Sequence, residues 1–213
     1  MLLGIAAIKK INQLGGVVDI SQLSRPAALQ AIQLSSTPVI ASHSNAQALT
    51  AVSRNLSNVE IDQIAATGGV IHVAPFRGYL FDSSDAELDE AIRETRQKAG
   101  IDEDYLYPFE LYWEIQDPQV KADFLAAVSS LLSDIDLQDM LNHVDYIVRR
   151  AGVDHVGIGT DFNHGSGIPG FMDASDALNV TIGLLDRGYS EGEIRKIWGG
   201  NFLRVWEQSF KRR

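Results

Sequence analysis

The sequence predicts an α/β fold made of four parallel β/α units, which is a partial β/α barrel. Short runs of apolar residues alternate with helical segments, as is typical of parallel sheets that are covered on both faces. Polar residues follow each run, and β/α barrels place their chemistry at this end of the strands. A closed barrel needs eight strands. Only four runs are visible, at 17–20, 39–42, 70–75 and 156–160.

Helices are predicted before and between the first strands. An amphipathic segment at the N-terminus ends at the pair Gly15-Gly16. Ser24 is a candidate N-cap for the next helix, which has Pro26 in its first turn, where helices tolerate proline. The stretch 45–55 also has a helical pattern.

Capping residues predict two further helices. Ser57 and Glu60 have the spacing of a capping box, and their helix runs to a glycine pair at 68–69. Ser190 and Glu193 repeat the spacing near the C-terminus, at the start of a helical segment over 190–210. Other helices are predicted over 137–152 and 174–187.

An acidic stretch over 77–136 interrupts the alternation of strands and helices. It holds most of the tyrosines and two helical segments, 84–99 and 117–133, around "DEDYLYPFELYW". We interpret this stretch as a helical insertion or lid within a single domain that covers residues 1–213.

The composition limits the classes of function. The 213 residues are 45% hydrophobic and 22% charged, which suits a globular domain. A net charge of −10 argues against nucleic-acid and anionic-membrane partners, which need a basic surface. No apolar run approaches the ~20 residues of a membrane span. The absence of cysteine excludes thiolate zinc sites and cysteine nucleophiles but leaves the compartment open.

Two polar residues at strand ends are the main candidates for chemistry. His43, in "SHS", could bind a metal through a neutral ring nitrogen, or could simply bond to a loop carbonyl. Asp161, in "GTDF", could ligate a metal, accept a proton or cap a loop.

Arg54 and the other histidines have weaker signals. The guanidinium of Arg54 could hold a substrate carboxylate by two hydrogen bonds, although a surface ion pair is the default interpretation. His164 is a lesser candidate on the Asp161 loop. His143 is expected to be a packed helix residue and His155 a structural one, while His72 in mid-strand stays unassigned.

Taken together, these segments resemble the membrane (renal-type) dipeptidase family, peptidase family M19, whose members are zinc enzymes with metallo-dependent hydrolase barrels. The resemblance covers nearly the whole chain apart from the insertion. It implies that the chain corresponds to roughly the C-terminal four β/α units of the family's barrel. The segments that carry it are "GGVVDISQLS", "TPVIASHSNAQALTAVSRN", "ATGGVIHVAPF", "GVDHVGIGTDFNHG" and "GYSEGEIRKIWGGNFLRVWE".

The resemblance implies a role for each of three residues. His43 matches a zinc ligand on the sixth barrel strand, and Arg54 matches the arginine that binds the terminal carboxylate of the substrate. Asp161 matches the aspartate beside the scissile peptide and would move a proton to the leaving amine. The implied reaction is hydrolysis of a dipeptide by water held between two zinc ions.

Two departures from the family pattern affect this expectation. Gln22 lies where the family has a second histidine ligand, and an amide oxygen is a poorer zinc ligand than imidazole. One metal could therefore be weak or absent. The first-strand "HxD" ligand pair and the bridging glutamate are also missing, so we expect the C-terminal half of a longer protein, inactive by itself.

The leading hypothesis is therefore half of a zinc dipeptidase. The alternative is a catalytically inactive half-barrel that pairs with itself or with another chain, and a homodimer is one form of such pairing. A third, weaker hypothesis is a deacylase or lactonase on the same barrel, which the carboxylate-binding role of Arg54 disfavours.

Overall fold

A computed structural model describes residues 2–101 and 115–210 of the chain. Four parallel strands form one sheet in the order β1-β2-β3-β4, which confirms the predicted partial barrel. Each strand is shorter than its predicted run. The strands are β1 (Val18–Asp19), β2 (Val39–Ala41), β3 (Val70–Val73) and β4 (Val156–Ile158).

The described helices follow the predicted alternation. They are α1 (Leu2–Gln13), α2 (Arg25–Leu34), α3 (Asn58–Ala66), α4 (Ala86–Lys98), α5 (Pro118–Leu131), α6 (Leu137–Ala151), α7 (Ala177–Asp186), α8 (Glu191–Arg195) and α9 (Asn201–Phe210). The segment predicted as helical over 190–210 is kinked, because Gly199 has non-helical dihedral angles inside a wide turn between α8 and α9.

The prediction of a helix over 45–55 is wrong: this segment is a loop. The side chain of Asn45 is fully buried and bonds both the N–H and the C=O of Ala74, at 2.8 and 3.1 Å. Ala46 pairs with Leu56 in an isolated bridge, which joins the two ends of the loop. These long-range bonds replace the local hydrogen bonds of a helix, so tertiary contacts override the helical pattern.

Helices pack against both faces of the sheet. On one face, alternate strand residues join the main core with α2, α3, α6 and α7. This set includes Val39, Ala41, Ile71, Val73 and Val156. On the other face, α9 packs Val205 against Ile40 and Val70, and the ring of Phe202 meets the edge of His72 at 5.8 Å between centroids.

Two glycines in and after β4 allow close packing of the sheet. A Cβ atom at Gly157 would lie 2.5 Å from the ring of His72, its neighbour in register on β3. A Cβ atom at Gly159 would lie 2.6 Å from the carbonyl oxygen of Ser42. Side chains at these positions would therefore push β4 away from β3 and β2.

Among the described helices, three begin with a capping box, and the sequence analysis identified two of these. Those of α3 and α8, at Ser57 and Ser190, are confirmed. The third, at Asp136 in front of α6, uses Asp139 in place of the usual glutamate or glutamine.

The predicted insertion over 77–136 contains α4 and α5 where helical segments were expected. The aromatic stretch between them, 102–114, lies outside the described residues. The single-domain boundary and the lid role stay predictions. No helix within 2–101 or 115–210 is long and apolar enough to cross a membrane.

Candidate active site

His43 lies in the first turn after β2, at the carboxyl edge of the sheet. Its ring Nδ1 is 2.7 Å from the hydroxyl of Ser42, and its backbone N–H donates to the hydroxyl of Ser21. Asp19 accepts hydrogen bonds from the backbone N–H groups of Ser21 and Ser42 and so links the ends of β1 and β2. The imidazole is thus held at the rim, where the sequence analysis expected it.

Gln22 contacts His43 directly. Its amide nitrogen is 2.9 Å from Nε2 of His43, and since an amide N–H₂ can only donate, this ring nitrogen is the acceptor. The proton of the neutral ring is then on Nδ1, facing Ser42. Gln22 also has a positive φ of 67°, which is uncommon for a residue other than glycine. The unprotonated ring nitrogen, which a metal would need, is therefore already bonded to the glutamine.

Asp161 follows β4 and has a left-handed backbone conformation, with φ of 49°. Asp161 lies three residues after the end of β4 and directly precedes the short turn Phe162–His164. Its carboxylate is 11% exposed and accepts a hydrogen bond from Nδ1 of His164 at 3.1 Å, whereas the imidazole of His164 is 69% exposed. The largely buried carboxylate is therefore bonded by an imidazole that lies on its solvent side.

Arg54 lies in the loop between β2 and α3. Its Nε and one Nη donate to the hydroxyl of Tyr79, at 3.2 and 3.1 Å. The guanidinium carbon also lies 5.7 Å from the centre of the Tyr79 ring. Tyr79 itself is buried and packs against Phe76, with 4.5 Å between ring centres. A buried aromatic residue thus fixes the direction of the arginine fork.

A cavity of about 560 Å³ brings the candidate residues together. Gln22, Arg54 and Asp161 all line it. His43 is not among the lining residues and reaches the cavity through Gln22. The remaining wall of the cavity is largely apolar and comes from the loop after β3, from α5 and from the loop after β4. It includes Phe76, Leu125, Val128, Leu132 and Met172.

Three other histidines lie away from this cavity. His143 in α6 is 2% exposed, and its Nδ1 accepts the backbone N–H of Ala46 at 3.0 Å. Burial lowers the pKa of His143 to about 3, so its ring is neutral, as expected for a packed histidine. Nδ1 of His155 lies 2.8 Å from the carbonyl of Gly69, a structural bond. His72 bonds the carbonyl of Ala41, and burial lowers its pKa.

The described residues do not form a complete zinc site. Zinc normally takes three or four protein ligands. No group of three or more His, Asp or Glu side chains within 2–101 and 115–210 is arranged to hold a metal ion. The available nitrogen of His43 is bonded to Gln22 as well.

Sequence reasoning missed two residues of the cavity, Arg77 and Tyr79. Both belong to the short turn Arg77–Tyr79, which follows β3 after "VAPF". Their position soon after the end of a third strand is a usable signal in the sequence. The predicted insertion over 77–136 includes them instead.

A family model described as "Membrane dipeptidase (Peptidase family M19)" matches residues 2–213. The chain belongs to peptidase family M19. This result confirms the resemblance that the strand-end segments carry. Members of the family are hydrolases, and a metal cofactor, generally zinc, is implied by the metallopeptidases among them.

Relatives of this M19 chain are longer than it is. The dipeptidase tcpJ of Claviceps purpurea is 28% identical over 93% of this chain and 36% of its own length. An uncharacterized dipeptidase of Schizosaccharomyces pombe is 26% identical over 97% of this chain and 39% of its own. The chain thus spans less than half the length of these curated relatives.

Solved structures support the partial barrel. The probable dipeptidase PvdM of Pseudomonas aeruginosa is 37% identical and superposes with a TM-score of 0.81 over 99% of this chain and 55% of its own. A metallopeptidase of Rhodobacter sphaeroides, liganded with a phosphinate mimic of the dipeptide L-Ala-D-Ala, has a TM-score of 0.69 at 22% identity, over 97% of this chain and 46% of its own. This second likeness concerns the fold alone.

Proposed function

We propose that this chain forms the substrate-binding half of an M19 dipeptidase and that its cavity holds a dipeptide. The observation that carries the proposal is the shared cavity. It places a guanidinium, from Arg54, and a carboxylate, from Asp161, on an otherwise largely apolar wall. A dipeptide has a terminal carboxylate, a peptide bond and apolar carbon within one small molecule, so it matches this arrangement.

Arg54 is the proposed anchor for the terminal carboxylate. Its planar fork can bond both carboxylate oxygens at once. Tyr79 accepts from two of its nitrogens, which restricts the fork to one direction before the substrate binds. An anchor that is already oriented loses less side-chain entropy on binding.

Asp161 is the proposed proton carrier. Hydrolysis adds water to the peptide carbonyl, breaks the C–N bond and delivers a proton to the leaving amine. A carboxylate at the cavity wall can accept the proton of the attacking water and then donate it to that amine. His164 bonds one carboxylate oxygen, and none of residues 2–101 and 115–210 bonds the other.

The zinc ions that the family implies are proposed only for the longer assembly. His43 would contribute one ligand there, and Gln22 occupies the position of another. Because the described residues lack a full ligand set, we expect no hydrolysis by this chain alone.

Binding tests the proposal without requiring catalysis. Calorimetric titration of the chain with L-alanyl-L-alanine should show binding that Arg54→Gln weakens about tenfold or more, since a hydrogen bond to a charged group contributes ~1.5–3 kcal/mol. Arg195→Gln is the matched control, because Arg195 pairs with Glu191 on exposed α8. Equal affinities of the wild-type chain and Arg54→Gln would contradict the assignment of Arg54.

A second candidate function is a non-catalytic half-barrel that pairs with a second copy. Two apolar stripes are exposed on its helices, and β1 and β4 each pair with a described strand on one side only. The stripes consist of Leu178, Ile182 and Leu185 on α7 and of Leu203, Trp206 and Phe210 on α9. Exposed apolar stripes of this kind favour association.

A further inference from the structure

Arg77 is a second guanidinium in the candidate active site. It lies in the same turn as Tyr79 and, like Arg54, lines the cavity. Arg54 is bonded to the hydroxyl of Tyr79. In contrast, no ion pair or hydrogen bond joins the guanidinium of Arg77 to any of residues 2–101 and 115–210. Its Nε is fully buried, and this donor is unsatisfied within the same part of the chain.

A buried donor without an acceptor costs free energy, and such groups in native proteins call for an explanation. The cost is recovered when an acceptor enters the site. An arginine with an unused Nε–H and two terminal nitrogens is suited to a planar anion such as a carboxylate, which accepts two parallel hydrogen bonds.

The charge balance of the cavity also points to an anion. Among the described lining residues, Arg54 and Arg77 are cationic and Asp161 is the sole carboxylate. The chain as a whole has a net charge of −10, so this local excess of positive charge opposes the overall charge. A cleft with one sign of charge and apolar walls concentrates ligands of the opposite sign.

From these observations we infer that the cavity selects dipeptides with two carboxylates, one at the C-terminus and one on an acidic side chain. This inference rests on the proposed function, since Arg54 takes the terminal carboxylate. Arg77 binds the side-chain carboxylate of a C-terminal glutamate or aspartate. The backbone brings the two arginines close, because Arg77 lies two residues before Tyr79, the partner of Arg54. Apolar residues such as Phe76 and Leu132 accommodate the methylene groups of the substrate.

The test compares two dipeptides of nearly equal size, L-alanyl-L-glutamate and L-alanyl-L-glutamine, by calorimetric titration of the full chain. The wild-type chain should bind the glutamate peptide about tenfold more tightly, the effect of one charge-assisted hydrogen-bond pair. Arg77→Gln should reduce this ratio to about one. Arg195→Gln, on exposed α8, should leave the ratio as in the wild-type chain.

Each other outcome is decisive. Equal binding of the two peptides by the wild-type chain, or an equal loss of both in Arg77→Gln, overturns the inference and leaves dipeptide binding intact. If neither peptide binds, titration with glutarate tests the anion-binding role of Arg77 separately from the binding of dipeptides. If glutarate binds and Arg77→Gln abolishes that binding, Arg77 is retained as an anion-binding residue. The proposal that the ligand is a dipeptide is then refuted. An absence of glutarate binding overturns both.

Discussion

The Gln22–His43 contact is the residue-scale feature that most affects the chemistry of the site. An amide hydrogen bond occupies the ring nitrogen that would face a metal. The sequence identified both residues, one as the position of a missing ligand. It could not show that they touch, because they lie on different loops and meet only when β1 and β2 pair.

Replacement of the glutamine tests this interpretation. Gln22→His should raise the affinity of the chain for zinc by about tenfold or more, because an added imidazole is a better zinc donor than an amide. The positive φ at this position suits the change, since histidine adopts left-handed conformations more often than most residues. Zinc affinity can be measured by competition with a chromogenic chelator.

The double variant Gln22→His/His43→Ala is the control for the added imidazole. It keeps the new ring and removes its expected partner, so its zinc affinity should return to the wild-type level. Equal zinc affinity of wild type and Gln22→His would show that the two positions do not converge on one metal.

His143 gives a residue-scale prediction for stability. Its pKa is about 3 in the folded chain and close to 6.5 in the unfolded one, so between these values the unfolded state binds the additional proton. Stability therefore falls as the pH falls. Between about pH 7 and about pH 5.5 this one group should reduce the free energy of unfolding by about 1 kcal/mol.

Urea unfolding at both pH values measures the effect. His143→Gln should remove about 1 kcal/mol of the pH dependence. Burial also lowers the pKa of His72, so this group should still reduce the free energy of unfolding of the variant as the pH falls. Asp139, which lines a second cavity with His143, has a pKa raised by burial and acts in the opposite direction at lower pH. An unchanged pH dependence in His143→Gln would contradict the neutral, buried ring.

At the scale of elements, local signals were predictable and distant ones were not. The capping boxes of α3 and α8 depend on residues three apart, so the sequence contains all of their information. The loop over 45–55 depends on Asn45 and Ala46 reaching β3 and α6, which the sequence does not show. The resemblance to the family placed Arg54 at the site, whereas the contact between Arg54 and Tyr79 joins two separate loops and depends on the fold.

The capping box of α3 should contribute more to stability than that of α8. Glu60 is 4% exposed, accepts from the N–H and hydroxyl of Ser57 at 2.8 and 2.6 Å, and pairs with Arg25. Ser57→Ala should cost ~1–2 kcal/mol, because a lost cap also leaves the buried carboxylate short of a donor.

Ser190→Ala is the matched variant, since its capping box is exposed and has similar hydrogen bonds. It should cost ~0.5 kcal/mol, the lower end of the range for caps. Urea midpoints of the two variants provide the comparison. Equal losses would mean that burial of Glu60 adds nothing to the cap.

At the scale of the whole molecule, the chain is a partial barrel with helices packed on both faces of its sheet. Even so, α7 and α9 retain apolar stripes at the surface. The four parallel strands and their order follow from the alternating pattern. The packing of α9 against the second face of the sheet does not, because its apolar residues have the periodicity of any amphipathic helix.

Self-association should follow from these stripes. Sedimentation velocity should show the chain as a dimer or larger species. Leu178→Glu/Leu185→Glu should shift it towards monomer, since two buried carboxylates would oppose the contact. Leu3→Glu, at an exposed position on α1, should not. A monomeric wild-type chain at high concentration would remove support from the pairing function.

The glutamine beside His43 also bears on how position 22 can change by mutation. Every glutamine codon becomes a histidine codon when its third base is exchanged for a pyrimidine. The backbone at position 22 already has a geometry that histidine accepts. Loss or recovery of an imidazole here therefore requires a single point mutation. Related sequences should differ at this position more readily than at Gly157 and Gly159, where a Cβ atom would clash.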